Sequence, residues 1–298
     1  MKIAITGCSG FVGTRLTKYL IDRNHRLTGI DAVSAGGNDK ADAFQFIQAD
    51  TTQPGDWQQA FQDVDAVVNL AGKNIFHLWS DKYKELIYNT RILTTRNVVA
   101  ALPDNRNIVL VSTSAAGFYG DRGEEVLDES KSPGDDFLAR VCVDWEQEAL
   151  AAKHKGVRVI VSRFGVVLGK NGGALAKMLP AYRMFVGGPL GNGLHWFPWI
   201  HMADLLAAIE FVIMHPEIEG SMNFCSPNPV RNGEFSRALA RELGKPAFMR
   251  TPAFLLKLLA GELGGVLLSS QRAVSTGLLS HGFQFKYPDV SGAIKSSL

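Results

Sequence analysis

The chain opens on KIAIT, five residues of apolar and β-branched character, and runs without a break through TGCSGFVG into an amphipathic stretch carrying Leu16, Leu20 and Ile21. A strand that becomes a helix through Gly7, Gly10 and Gly13 admits few folds. One small residue lets the chain reverse tightly, the next leaves room against the backbone, and the third lets the helix pack close to the strand. The helix aims its first N–H groups and the positive end of its dipole at that room, which suits a pyrophosphate. The expected fold class is α/β, a Rossmann-type doubly wound parallel sheet with a small C-terminal lobe. The expected cofactor is a nicotinamide dinucleotide, held at the loop by Gly7, Ser9, Gly10, Phe11, Val12 and Gly13.

The pattern continues along the chain. Runs at 2–6, 26–31, 44–48, 65–71, 107–113 and 157–163 read as strands, and stretches near 11–24, 56–62, 80–102 and 136–154 read as helices. Several strands are apolar on both faces, as a sheet covered on both sides requires. Past Arg163 the texture turns rich in Gly and Pro, notably in GKNGGALAKM and FVGGPLGNGLHWFPW. A further strand at 221–226 and helices near 203–214, 232–243 and 252–260 complete the reading. Residues 1–165 are therefore read as the dinucleotide-binding core. Residues 166–298 are read as mainly a substrate lobe, with about 200–226 returning to the core.

Asp31 closes the second strand 18 residues after Gly13. A carboxylate there accepts hydrogen bonds from the adenosine ribose hydroxyls and faces the 2′-phosphate of NADP unfavourably, so NAD is the preferred cofactor and NADP the alternative. Lys40, from the loop of 32–43, and Arg15, from the first helix turn, are the cations that would reverse the preference. Asp50, at the end of the third strand, is placed to meet the adenine amino group. Leu70, Ala71 and Gly72 end the fourth strand where the cofactor's central ribose should pass.

The 298 residues carry 31 basic and 29 acidic side chains, with no dense Lys/Arg run, which argues against nucleic acid and polybasic membrane partners. No stretch approaches the ~18 apolar residues of a membrane span. Cys8, Cys142 and Cys225 are widely spaced with no CxxC pair, so neither a disulfide framework nor a metal site is expected and a reducing cytoplasm fits best. The expected partner is a small-molecule substrate, and a homodimer is compatible with the sequence.

Together with GCSGFVG, Asp31 and Asp50, the segments NLAG (69–72) and STSAAGFYG (112–120) make the chain resemble an extended or atypical short-chain dehydrogenase/reductase of the NAD-dependent epimerase/dehydratase superfamily. RFGVVLG (163–169), GPLGNG (188–193), WIHMAD (199–204) and NFCSPNPVRNGEF (223–235) are similar to the YfcH-type epimerase-like subfamily within it. The resemblance implies a nicotinamide cofactor and chemistry on a small alcohol or carbonyl compound, with a nucleotide sugar among the candidates. It also implies cofactor-binding roles for Asn89 and Arg163. Relatives of the YfcH type often carry Thr-Arg or Ser-Arg at the second strand end, where this chain has Asp31.

Catalytic members place a Ser or Thr after the fifth strand and Tyr-x-x-x-Lys on the next helix, the lysine lowering the tyrosine pKa for proton exchange. Ser114 matches the first element. Leu138 and Cys142 stand where the tyrosine and lysine belong, and neither can take over that work. Substitutes are offered by Tyr119, just past the strand end, and by His201 in WIHMAD, although each also reads as a packing or bracing residue. Lys177, Arg183, Trp199 and Arg231 are candidate substrate contacts, with Asn232 read as a helix cap. Two functions stay open: an NAD(P)-dependent oxidoreductase or epimerase with a non-standard proton relay, and a non-catalytic dinucleotide-binding or redox-sensing protein.

Overall fold

The computed structural model describes residues 1–33 and 43–298; Lys40 lies outside the described residues. Strand β1 (Lys2–Thr6) leads to helix α1 (Gly13–Ile21), β2 (Arg26–Asp31) and β3 (Phe44–Gln48). A 3₁₀ turn at Asp56–Phe61 precedes β4 (Ala66–Asn69), α2 (Asp81–Ala101), β5 (Val109–Ala115) and a second 3₁₀ turn at Ala116–Tyr119. Next come the short β6 (Val126–Leu127), then α3 (Phe137–Leu150), β7 (Arg158–Phe164) and β8 (Val166–Leu168). Helix α4 (Gly173–Arg183), β9 (Trp196–Phe197), β10 (Trp199–His201), α5 (Met202–Met214) and β11 (Gly220–Phe224) follow. The rest comprises β12 (Val230–Arg231), α6 (Asn232–Glu242), α7 (Ala253–Ala260), α8 (Glu262–Val266), β13 (Arg272–Ala273), α9 (Thr276–Ser280) and α10 (Val290–Ser297).

Seven strands form one parallel sheet in the order β11-β7-β5-β4-β1-β2-β3. The order reverses between β1 and β4, and a crevice at such a switch point, beyond the carboxyl ends of the strands, is where ligands of open α/β sheets bind. Alternate β1 side chains enter different cores. Ile3 and Ile5 pack with Leu16 and Leu20 of α1 and Leu205, Ile209 and Val212 of α5. Ala4 joins Val67, Val98 of α2 and Ala149 of α3 on the other face. Each fully buried Leu, Ile or Val contributes about 1.5–3 kcal/mol, so the two cores hold the sheet from both sides. A third cluster, with Leu175, Trp199, Phe235, Leu239 and Ile294, is built from residues of the second half of the chain.

Helix ends follow local chemistry. The Ser80 hydroxyl caps α2 by accepting the Tyr83 N–H at 3.2 Å, and the Asp136 carboxylate caps α3 by accepting that of Ala139 at 2.8 Å. Asn24, at φ 64°, turns the chain out of α1 toward β2, a conformation asparagine tolerates better than most residues. Several expected boundaries move. The first helix starts at Gly13 because residues 7–12 form the loop, the helix expected over 56–62 is a 3₁₀ turn, and the one expected over 136–154 is α3 continued by a 3₁₀ turn at Ala151–Lys155.

Candidate dinucleotide site

The three glycines divide the work at the end of β1. Gly7 has φ 72°, and a Cβ on it would lie 2.8 Å from the Ala71 nitrogen, so the 70–72 segment packs directly on this turn. A Cβ on Gly13 would collide with the Gly7 carbonyl oxygen, which requires glycine where α1 meets the turn. A Cβ on Gly10 would meet only the Gly7 oxygen, at 3.2 Å, and is otherwise open. Gly10 is thus the face left for a ligand's close approach. Helix α1 behind it has no acidic residue in its first turn and no side chain capping its start at Val12, so its positive end is unspent. These features fit a pyrophosphate.

Phe11 anchors the loop to the second half of the chain. Its ring fills the space that side chains at Gly172 and Gly173 would need, and the Arg15 guanidinium lies over it at 4.3 Å. Arg15 also donates to the carbonyls of Phe11 and Lys170. On the other side, the Asp31 carboxylate accepts the Ser9 N–H at 3.0 Å, tying the end of β2 to the glycine loop. The exposed Asp50 carboxylate accepts the Thr52 N–H at 3.0 Å and its hydroxyl at 2.7 Å, so one oxygen is held in a local turn.

Strand β4 ends at Asn69, earlier than the expected 71. The buried Asn69 amide accepts from the Thr6 hydroxyl at 2.6 Å and donates to that of Thr95 at 2.8 Å, joining β1, β4 and α2. Leu70 still donates its N–H to the Thr6 carbonyl at 3.1 Å, Leu70 and Ala71 lie over Gly7, and Gly72 lies against Arg91. Asn89 sits half-buried on α2, its amide 3.5 Å from the Glu85 carboxylate.

Beyond β5 the side chains expected to do chemistry are absorbed into a buried network. Ser114 donates to Glu146 at 2.7 Å, and Glu146 takes both arms of Arg163 at 2.9 and 2.8 Å. Arg163 in turn donates to the Tyr119 hydroxyl at 3.0 Å and lies 3.5 Å over the Phe118 ring. The phenol donates to Asn223 at 2.8 Å, the ring is fully buried, and burial pushes the Tyr119 pKa up to about 12. Tyr119 is therefore corrected from proton-relay candidate to buried linchpin, since no face of its hydroxyl is left for substrate. Arg163, 4% exposed, is likewise corrected from a cofactor contact to the counter-ion of Glu146. Ser114 spends its hydroxyl proton on the same carboxylate.

The remaining candidates separate in space. His201 caps α5, its Nδ1 accepting the Ala203 N–H at 3.1 Å, and packs 4.0 Å from the Tyr287 ring; burial lowers its pKa to about 4. That corrects its catalytic reading in favour of bracing. Trp199 is 1% exposed, so it is core and not a substrate contact. Arg231 forms a two-pronged pair with Glu124 at 2.9 and 2.8 Å, which neutralises it. Asn232 begins α6 without capping it: its side chain accepts the Leu190 N–H at 2.8 Å. Lys177 and Arg183 are exposed on α4. An open cleft of about 780 Å³ lies between the 121–124 segment and the C-terminal part, lined by Asp121, Glu124, His195 and Arg250 together with the apolar Leu194 and Leu268, and includes none of the glycine-loop residues.

Leu138 and the buried Cys142 occupy α3 as expected, and desolvation pushes the Cys142 thiol up to about 12, so it is inert near neutrality. Arg91 went unread in the sequence. It lies on α2, two residues past Asn89, and donates to the carbonyls of Ile87 at 2.9 Å and Lys73 at 3.0 Å. Only its spacing from Asn89 marked it.

A parallel sheet with this order, a glycine turn open at one point and an acid on the neighbouring strand define a dinucleotide-fold protein. Residues 3–224 match the NAD dependent epimerase/dehydratase family and residues 251–297 a domain of unknown function, DUF1731. The chain belongs to the NAD dependent epimerase/dehydratase family. It is 40% identical over 300 residues to the epimerase family protein SDR39U1 homolog, chloroplastic, of Arabidopsis thaliana, covering 99% of this chain and 86% of that one. Identity to the epimerase family protein Mb2239 of Mycobacterium bovis is 35% over 295 residues, covering 98% and 96% of the two chains. Human epimerase family protein SDR39U1 (isoform 2), solved with NADPH, superposes with a TM-score of 0.85 at 28% identity over 100% of this chain and 99% of that one. No helix among the described residues is long and apolar enough to cross a membrane.

Proposed function

We propose that this protein binds a nicotinamide dinucleotide across the carboxyl ends of β1, β2 and β4 and acts as an oxidoreductase or epimerase on a small hydroxyl or carbonyl compound. The observation that carries the reading is the open face at Gly10, set between an uncapped α1 and the Asp31 carboxylate. The NADPH in the human relative supports a dinucleotide of this class. The cleft beyond Gly120 has the volume of a small-molecule site and offers hydroxyl, amide, carboxylate and guanidinium groups beside apolar surface to a small substrate. Proton exchange then belongs to a group other than Tyr119 or Cys142.

The second reading, a dinucleotide-binding protein without turnover, is supported by Leu138 and Cys142 at the relay positions and by the buried Tyr119 hydroxyl. One experiment separates the two: incubation with reduced dinucleotide and a panel of aldehydes, ketones and nucleotide sugars, following cofactor absorbance and sugar isomers. Turnover supports the enzyme. Tight cofactor binding with no conversion of any panel member favours the second reading.

A further inference from the structure

The corner where α3 begins is apolar. Leu138 lies on the turn that follows β5, since a Cβ on Gly117 would stand 3.6 Å from the Leu138 Cβ. Its neighbour Phe137 meets the Trp79 ring edge-on at 5.4 Å, and the Trp79 indole N–H donates to the Ile75 carbonyl at 2.8 Å. Leu78, beside Trp79, is 64% exposed. The 75–79 segment and the start of α3 thus form one largely apolar wall. Helix α7 reaches the same corner. None of its residues is buried, and Leu258 and Leu259 are 76% and 66% exposed. They stand one helical turn before Glu262, whose carboxylate accepts from the Lys84 ammonium at 2.9 and 3.0 Å. That ammonium lies 5.1 Å from the centre of the Phe137 ring, so one ion pair brings the apolar end of α7 beside the wall. The other end is pinned as well: Thr251 donates to the Pro189 carbonyl at 3.0 Å and accepts the Gly191 N–H at 2.8 Å. Leucines left open on a helix fixed at both ends mark a surface that something covers.

What covers it follows from where it lies. Asp31 ends β2, on one side of the glycine loop, and marks the adenosine half of a dinucleotide. Strands β4 and β5 lie on the opposite side of β1, so the reactive half runs toward the carboxyl end of β5, where Leu138 sits. The wall is therefore continuous with the place of reaction, and a substrate is its occupant. A nucleotide sugar brings hydroxyls and two phosphates that are costly to bury without partners, and Lys84, which stands at this corner, is already held by Glu262. The cleft beyond Gly120 borders the same segment at Ala253 and Leu268, again on apolar side chains. The geometry points to an apolar aldehyde, ketone or alcohol as the substrate, its alkyl or aromatic body packed against Leu78, Trp79, Leu138 and Leu258. This names the substrate class for the dinucleotide reading above and rests on it.

The test is calorimetric titration of n-butanol, n-hexanol and n-octanol, and of UDP-glucose, into protein saturated with reduced dinucleotide, which these alcohols cannot oxidise. Affinity should rise about threefold with each added methylene, and UDP-glucose should bind more weakly than n-octanol. Leu78→Ser combined with Leu258→Ser changes exposed positions, so the fold should survive, with thermal melting as the check. The double variant should keep dinucleotide affinity within about twofold and lose about tenfold in n-octanol affinity, roughly 1.4 kcal/mol. Affinity that does not rise with chain length, tighter binding of UDP-glucose, or unchanged n-octanol affinity in the folded double variant overturns the inference. So does a dimer in sedimentation that only the double variant loses, which would assign these leucines to a second copy of the chain. Wild-type protein that binds no reduced dinucleotide overturns the dinucleotide reading, and this one with it.

Discussion

Arg163 on β7 and Glu146 on α3 form a two-pronged ion pair, Nε to Oε1 at 2.9 Å and Nη2 to Oε2 at 2.8 Å, with both side chains 5% exposed. Around it close the Ser114 hydroxyl, the Tyr119 phenol and the Phe118 ring, so one carboxylate locks the helix to the sheet beside the candidate site. Removing one member of such a pair leaves the other charged, buried and unpaired. Glu146→Gln should therefore cost about 3–5 kcal/mol in urea unfolding. Replacing both, as Glu146→Met with Arg163→Met, should recover part of that loss. A single-mutant loss below about 1 kcal/mol would show that water reaches the pair.

His201 gives the fold a sensitivity to acid. Its imidazole is buried as a cap on α5, and its pKa drops from 6.5 to about 4. A folded pKa below the unfolded one means the unfolded chain takes up the proton first, so stability present above pH 6.5 is lost as pH falls toward 4. The full effect is about 3 kcal/mol. His201→Asn keeps a cap acceptor and removes the titration, so its unfolding free energy should vary less over that window. A parallel decline in wild type and variant would assign the acid loss to other groups.

Much of the fold was legible because its signals are local. The glycine turn, the apolar runs of the sheet and the N-terminal boundary of α6 all lie within a few residues of the features that cause them. The errors concern side chains whose partners are remote in sequence. Tyr119 looked available because nothing near it announces Asn223, 104 residues away, and His201 looked reactive because Tyr287 is likewise remote in sequence. Trp199 was misplaced for the same reason: an aromatic run in a Pro-rich loop does not say which ring turns inward. Arg91 was missed because a helical arginine ordinarily faces solvent, and only the contact with Gly72 shows otherwise.

Asp31 bears on cofactor choice. Its carboxylate at the end of β2 would face the 2′-phosphate of NADP, and like charges at ~4 Å repel by about 4 kcal/mol at an effective dielectric near 20. Arg15, one cation that could relieve this, is engaged with the Phe11 and Lys170 carbonyls. The human relative was solved with NADPH, whereas NAD is the cofactor expected for this chain. Parallel titration should give tighter NADH than NADPH binding, with Asp31→Ala narrowing the ratio about tenfold. Tighter NADPH binding by the unmodified protein would reverse the assignment.

The glycine loop itself is tested most directly by calorimetric titration of reduced dinucleotide into wild type and Gly10→Val. A Cβ at Gly10 meets only the Gly7 oxygen, at 3.2 Å, so a branched side chain there projects into the ligand's space more than into the protein. The variant should keep its circular dichroism and melting transition while dinucleotide affinity falls by at least about a hundredfold, roughly 2.7 kcal/mol. Unchanged affinity in a folded Gly10→Val protein would contradict the central claim, because the pyrophosphate would then have to lie elsewhere.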